Sequence, residues 1–126
     1  MPDYPVPPSP MGDVVDESWE VEPQYVKQKL ANGSSDSFVL LDCRRPDELK
    51  IATINPSVFL PMQELAHRHE ELSDIRQREV VVYCHHGRRS LRVSAFLRSK
   101  GFINVKSMAG GIDRWAQEID PDVAVY

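Results

Sequence analysis

Cysteine is scarce in this chain. Cys43 and Cys84 are the only two, too few for a disulfide framework, and their surroundings look like those of a cytosolic protein. Long apolar runs are missing: none approaches the roughly 20 residues that a membrane span needs. The opening stretch, Met1 to Asp13, has neither a basic n-region nor an apolar h-region, so it does not read as a secretory signal. Positive charge is not in excess. The net charge of −4 argues against nucleic acid as a partner. What is present is ordinary for a soluble protein, with 41% apolar and 27% charged residues in a chain of 126. That length allows one compact domain with a real core. There is no internal repeat and no sign of a second domain.

A further absence is local. Between Glu79 and Asp113 no acidic residue occurs, while the same window holds Arg88, Arg89, Arg92, Arg98, Lys100 and Lys106. A solvated basic helix face is the plain reading of such a run. Because the run starts at Cys84, it points instead to a local anion site.

Residues 1–16 carry Pro2, Pro5, Pro7, Pro8 and Pro10, half of the ten prolines. With little apolar content, they read as a disordered or extended tail before a folded domain at 17–126. Trp19 to Val21 suggests a short edge strand. Pro23 suits the first turn of a helix running to about Leu30, with Tyr25, Val26 and Leu30 inward. Asn32-Gly33-Ser34-Ser35 closes it as a cap and loop. Phe38 to Leu41 is a continuous apolar run, expected to be a strand buried on both faces. Pro46-Asp47-Glu48 opens a short helix, with carboxylates at the positive end of its dipole. After a turn at Asn55-Pro56-Ser57 comes a short strand, Val58 to Leu60. A helix is expected from Pro61 through Met62 and Leu65 to Leu72. Val80 to Tyr83 reads as the central strand, followed by a loop and a helix with Leu91, Val93, Ala95, Phe96 and Leu97 on its apolar face. Gly101 fits the C′ position of that helix. Val105 to Met108 is a fifth strand. Gly110-Gly111 turns into a last helix, where Ile112, Trp115 and Ile119 share a face. Strands alternating with helices indicate an α/β domain with a parallel sheet wrapped by helices.

The stretch Cys84-His85-His86-Gly87-Arg88-Arg89 places a thiol at the carboxyl end of the central strand, facing a helix N-terminus. Ligand chemistry in parallel α/β sheets concentrates there. A cysteine works as a nucleophile in its thiolate form. Three features favour that anion: the free N–H groups and dipole of the following helix, a tight loop whose amides converge as an anion nest around Gly87, and the cations Arg88, Arg89 and Arg92. The same cradle would hold an incoming anion.

Four segments, in order, resemble the single-domain rhodanese-like sulfurtransferases: Leu40 to Glu48 (LLDCRRPDE), Ala52 to Met62, the loop Tyr83 to Ser90 (YCHHGRRS), and Ala109 to Trp115 (AGGIDRW). The resemblance implies a five-stranded, mostly parallel sheet with helices on both faces. It implies that Cys84 takes a sulfane sulfur from a small anionic donor such as thiosulfate, or from a persulfide, and passes it to cyanide, a thiol or a sulfur-carrier protein. It implies no cofactor and no metal. Substrate contacts would come from His85, His86, Gly87, Arg88, Arg89 and Ser90, with Asp42 and Arg44 supporting the loop from beneath. Thiosulfate-using members often have arginine directly after the cysteine. His85 stands there, partly neutral near pH 7, which favours a persulfide donor. Ala52-Thr53-Ile54 also lacks the Gly-His often found before the isoleucine.

Phosphatases and arsenate reductases with a cysteine loop use Cys-x5-Arg. Six positions beyond Cys84 stands Ser90, and the arginines fall four and five positions on, so the loop is one residue short for phosphate. A non-catalytic rhodanese-like binding module is the alternative from another class. Cys43 reads as a small buried side chain rather than a resolving thiol. His85 and His86, adjacent in a loop, are expected to diverge and so not to share a metal. His67 and His69 read as surface residues, and Trp115 as core. Ser90 either donates its hydroxyl to the sulfur or caps the helix.

Overall fold

The computed structural model describes residues 16–32 and 37–126. The expected tail (apart from Asp16) and the Gly33-Ser34-Ser35 part of the expected loop lie outside the described residues. Five strands, β1 (Glu20–Val21), β2 (Phe38–Asp42), β3 (Val58–Phe59), β4 (Glu79–Tyr83) and β5 (Asn104–Met108), form one sheet in the order β1-β5-β4-β2-β3. Every pairing is parallel. The helices are α1 (Pro23–Ala31), α2 (Pro46–Leu49), α3 (Leu65–Arg68), α4 (Arg88–Ser99) and α5 (Gly111–Glu118).

The alternation of side chains along each strand builds two cores. Val39, Leu41, Val80, Val82 and Val105 face Leu65, Leu72, Val93, Phe96 and Leu97 on one side. Phe38, Leu40, Val81 and Tyr83 face Val26, Ile112 and Trp115 on the other. Helices therefore cover both faces, and β2 is buried at every position, as its unbroken apolar run requires. Each of these fully buried aliphatic side chains contributes about 1.5–3 kcal/mol. Trp115 belongs to the core. Among the described residues, no helix is long and apolar enough to cross a membrane.

Two expectations are corrected. The segment after Pro61 is not one helix but a 3-10 turn (Met62–Glu64), the single-turn α3, and a second 3-10 stretch (His69–Ile75). The buried residues Met62, Leu65, Leu72 and Ile75 include two pairs spaced by three, which a 3-10 turn aligns on one side. His69 is not a plain surface residue, since its ring meets the edge of Phe96 at 5.6 Å.

The parallel register brings Asp42 opposite Tyr83. Cys43 and Cys84, one residue further on, leave adjacent strands at their carboxyl ends. The sequence after β5 reaches the same end of the sheet through Gly110 and Gly111. The loops after β2, β4 and β5 thus meet over the carboxyl ends of these neighbouring strands.

Candidate active site

Cys84 is buried beneath its own loop. Its sulfur accepts the backbone N–H of Gly87 at 3.1 Å and of Ser90 at 3.3 Å. Both amides are orphan donors at the start of α4, which has no intrahelical partners for them. Gly87 makes this possible. It is the N-cap of α4 with φ +96°, a left-handed conformation that turns the chain back toward the thiol. A Cβ there would come 3.0 Å from the Gly110 amide nitrogen.

The thiol donates to Ser90 Oγ at 3.4 Å, and Ser90 Oγ lies 2.7 Å from Ser107 Oγ. Either serine can be the donor in that pair. When the sulfur is an anion, Ser107 can donate to Ser90 and Ser90 to the sulfur. Of the two roles expected for Ser90, the structure shows the contact with the sulfur and not the cap: Gly87 is the N-cap of α4, no side chain caps it, and Ser90 meets Cys84 through its hydroxyl and its amide. Ser90→Ala should keep the two amides while stranding the buried Ser107 hydroxyl. We expect a stability loss of about 1–3 kcal/mol in urea unfolding and only a modest slowing of any reaction at Cys84.

The back of the loop is fixed by α5, whose Ile112 N–H donates to the Cys84 carbonyl at 2.8 Å and Asp113 N–H to the His85 carbonyl at 3.1 Å. Gly111, at φ +63°, allows this close approach. A Cβ on it would sit 2.4 Å from both carbonyl oxygens. Two helix N-termini therefore divide the work, α4 addressing the sulfur and α5 the loop backbone.

Under the loop lies a buried polar network. Arg44 and Asp42 are both fully buried and paired in a fork, with Nε to Oδ1 at 2.9 Å and Nη2 to Oδ2 at 2.8 Å. The Tyr83 hydroxyl donates to Asp42 at 2.9 Å. Arg89 turns inward and grips Glu48 with Nη1 to Oε1 at 2.7 Å and Nη2 to Oε2 at 3.1 Å. Burial opposes ionisation of Glu48, yet the hydrogen bonds from Arg89, Tyr126 and the Arg45 amide outweigh it and hold the carboxyl down to about 2. Arg89 is thus placed as the counter-ion of Glu48, with its guanidinium beneath the loop.

The basic segment is divided in the same way. Arg98 donates Nε to the Val105 carbonyl at 2.8 Å and covers the Trp19 ring, while Lys106 pairs with Glu79 at 3.0 Å. Much of the charge run is structural. Arg88 is the exposed one among its arginines.

His85 is buried and His86 is half exposed. Contrary to expectation their rings do not diverge, with centroids 3.8 Å apart. With Asp113 they place three ligand-type atoms within 4.8 Å of one another. His86 Nδ1 is 3.8 Å from Asp113 Oδ2, wider than the ~3.3 Å edge of a tetrahedral shell with metal–nitrogen bonds of about 2.0–2.1 Å. Cys43 is fully buried and donates its thiol weakly to the Tyr83 carbonyl. Burial, then the neighbouring Cys84, push the Cys43 thiol well up, so it stays protonated.

Residues 22–118 match the family described as Rhodanese-like domain. The chain belongs to the rhodanese-like family. This rhodanese-like chain is 33% identical to the Sulfurtransferase of Allochromatium vinosum over 83% of its own length and 94% of that protein's. It is 34% identical to the Adenylyltransferase and sulfurtransferase MOCS3-2 of Zea mays over 94% of its own length, but spans only 27% of that relative. A rhodanese-related protein from Thermoplasma volcanium superposes with a TM-score of 0.70 at 28% identity, covering 85% of this chain and 98% of that one.

Three residues packed around the Cys84 loop escaped sequence reasoning. Glu48 stood inside the first quoted segment and read only as a helix-dipole carboxylate. Ser107 lies in alternation with Val105 on a buried strand face, where a hydroxyl needs a partner. Tyr126 gave no local signal, because its contacts lie 41 to 82 residues away.

Proposed function

We propose that the chain is a sulfurtransferase that carries sulfane sulfur on Cys84. The observation that supports it most is the pair of α4 amides aimed at one buried sulfur. Donors fixed in place before reaction stabilise the thiolate and, equally, the anionic persulfide that replaces it. In the first step the Cys84 thiolate attacks the outer sulfur of the donor. A new S–S bond forms, the donor's own S–S bond breaks, and sulfite or a thiolate leaves with the electron pair. In the second step a nucleophile attacks the outer sulfur of the Cys84 persulfide and the Cys84 thiolate departs. Each step is a displacement at sulfur with no net oxidation and no call for a metal or organic cofactor.

His85 and His86, the Gly87 amide, Arg88 and Ser90 are the proposed substrate contacts. For Arg89, the proposed contribution comes from its backbone, since its side chain faces Glu48. Two features favour sulfur over phosphate: the loop is one residue short, and the Arg89 side chain is bound to Glu48 instead of facing the loop mouth.

Burial, and then His86 alongside, hold His85 below its ordinary value, so near pH 7 it presents a neutral ring. That supports a persulfide donor over dianionic thiosulfate. The proposed acceptor is a thiol or a sulfur-carrier protein, and a reducing compartment such as the cytoplasm suits a carrier thiol.

The test is sulfur transfer to cyanide from thiosulfate and, separately, from a small-molecule persulfide. Transfer from the persulfide at a higher kcat/KM than from thiosulfate is expected. Failure with every donor would leave a binding module, and Cys84-dependent hydrolysis of a phosphate ester would replace the proposal with a phosphatase.

A further inference from the structure

Tyr126 meets the Cys84 loop directly at its start and reaches its end through Glu48. Its ring stacks on His85, the residue directly after the nucleophile, with centroids 3.9 Å apart and planes 3° from parallel. Its backbone oxygen lies 2.5 Å from His85 Nε2. A backbone oxygen can only accept, so Nε2 carries the proton and the tautomer is fixed. At the other end, the Tyr126 hydroxyl donates to Glu48 Oε2 at 2.7 Å and accepts from Arg44 Nη1 at 2.7 Å. Glu48 in turn grips Arg89, whose neighbour Ser90 supplies one of the two amides on the sulfur.

We propose that Tyr126 is the positioning residue of the Cys84 loop: it locks the His85 ring at the loop's start and, through Glu48 and Arg89, steadies the α4 amides at its end. The inference rests on the reading of Cys84 as a sulfur carrier, and it adds a residue far outside the four family-like segments. It acts through other groups. The ring and polar atoms of Tyr126 go to His85, Glu48 and Arg44.

Removing the ring has a second consequence. His85 is faced by His86 in the loop, Glu48 of α2, Asp113 of α5 and the Tyr126 backbone, with Cys84 preceding it. Burial depresses its basicity first and His86 second, while the Tyr126 oxygen, Glu48 and Asp113 act in the opposite direction. Loss of the stacked ring admits water to the imidazole and relieves the largest of these causes. The titration of His85 must then rise toward the ordinary value of 6.5.

Two variants test this. Tyr126→Ala removes ring and hydroxyl, whereas Tyr126→Phe removes the hydroxyl alone. The readouts are the single-turnover rate of sulfur loading onto Cys84 from a small-molecule persulfide and the His85 titration followed by NMR. For Tyr126→Ala, loading should slow on the order of ten- to a hundredfold, the scale expected when a reacting group is displaced, and the His85 titration should move up. For Tyr126→Phe, loading should slow by a smaller factor with the titration nearly unmoved, because the stack remains. Wild-type loading and an unmoved titration in Tyr126→Ala would overturn the proposal. Should Tyr126→Ala fail to fold, wild-type loading in Tyr126→Phe would overturn it. A wild type that takes up no sulfur would sink the sulfur-carrier reading instead. The His85 titration would still decide for or against the positioning role.

Discussion

Replacing Cys84 by serine should abolish sulfur transfer, lowering the rate on the order of a thousandfold or more, while leaving the unfolding midpoint close to that of the wild type. Serine is nearly the same size, and the Gly87 and Ser90 amides that meet the sulfur remain to meet its oxygen. Ser90 Oγ and Ser107 Oγ remain a pair. The scaffold is therefore preserved and the chemistry alone is removed: a hydroxyl is a far weaker nucleophile near neutral pH and cannot carry sulfane sulfur as a persulfide. The two measurements, rate and unfolding midpoint, must separate. If both fell together, the loss would report on the loop's packing rather than on the nucleophile. If transfer persisted, another residue would be the carrier. Cys43 is the other thiol, and its burial and raised pKa make it a poor one.

Glu48→Ala is expected to act in the opposite way, through stability. Glu48 is fully buried, and it accepts from Arg89 twice, from the Tyr126 hydroxyl and from the Arg45 amide at 3.2 Å. Removing it takes away the carboxylate that the Arg89 guanidinium, itself buried, grips through both of its terminal nitrogens. Breaking one side of a buried pair costs about 3–5 kcal/mol, visible as a large drop in the urea midpoint.

The pH dependence follows with a definite sign. The folded carboxyl is held down to about 2 against an ordinary value of 4.5. Its contribution, roughly 3 kcal/mol, is complete above pH 4.5 and is lost as pH falls through about 2. Glu48→Gln lacks that titration, so the stability gap between wild type and Glu48→Gln should be widest at neutral pH and shrink on acidification. A gap that stays constant with pH would show that the charge on Glu48 does not contribute.

The sequence made the sheet readable because its middle strands β2 and β4 are short apolar runs and four of the five described α-helices start at a recognisable proline or glycine signal. Pro23, Pro46 and the Gly110-Gly111 pair all stand at helix starts in the structure. The Cys84 loop was equally legible, since Cys84 directly follows the Val80-Val81-Val82-Tyr83 run of β4 and Gly87 precedes α4, the longest of the described helices. What the sequence concealed was long-range. Arg89 looked like an anion ligand when judged by its neighbours. Only the fold brings Glu48, 41 residues away, within 2.7 Å of it. His85 and His86 looked divergent until the stacked Tyr126 ring fixed the first of them. The segment from Met62 to Ile75 failed for a local reason: its apolar residues suit both 3-10 and α turns, and packing against the sheet chose mostly the former.

The most direct test of the account is the intact mass of the chain after brief exposure to a small-molecule persulfide or to thiosulfate. The account predicts a gain of one sulfur atom that cyanide removes and that the Cys84→Ser chain never acquires. An unchanged wild-type mass with every donor, or an equal gain in the Cys84→Ser chain, would contradict it.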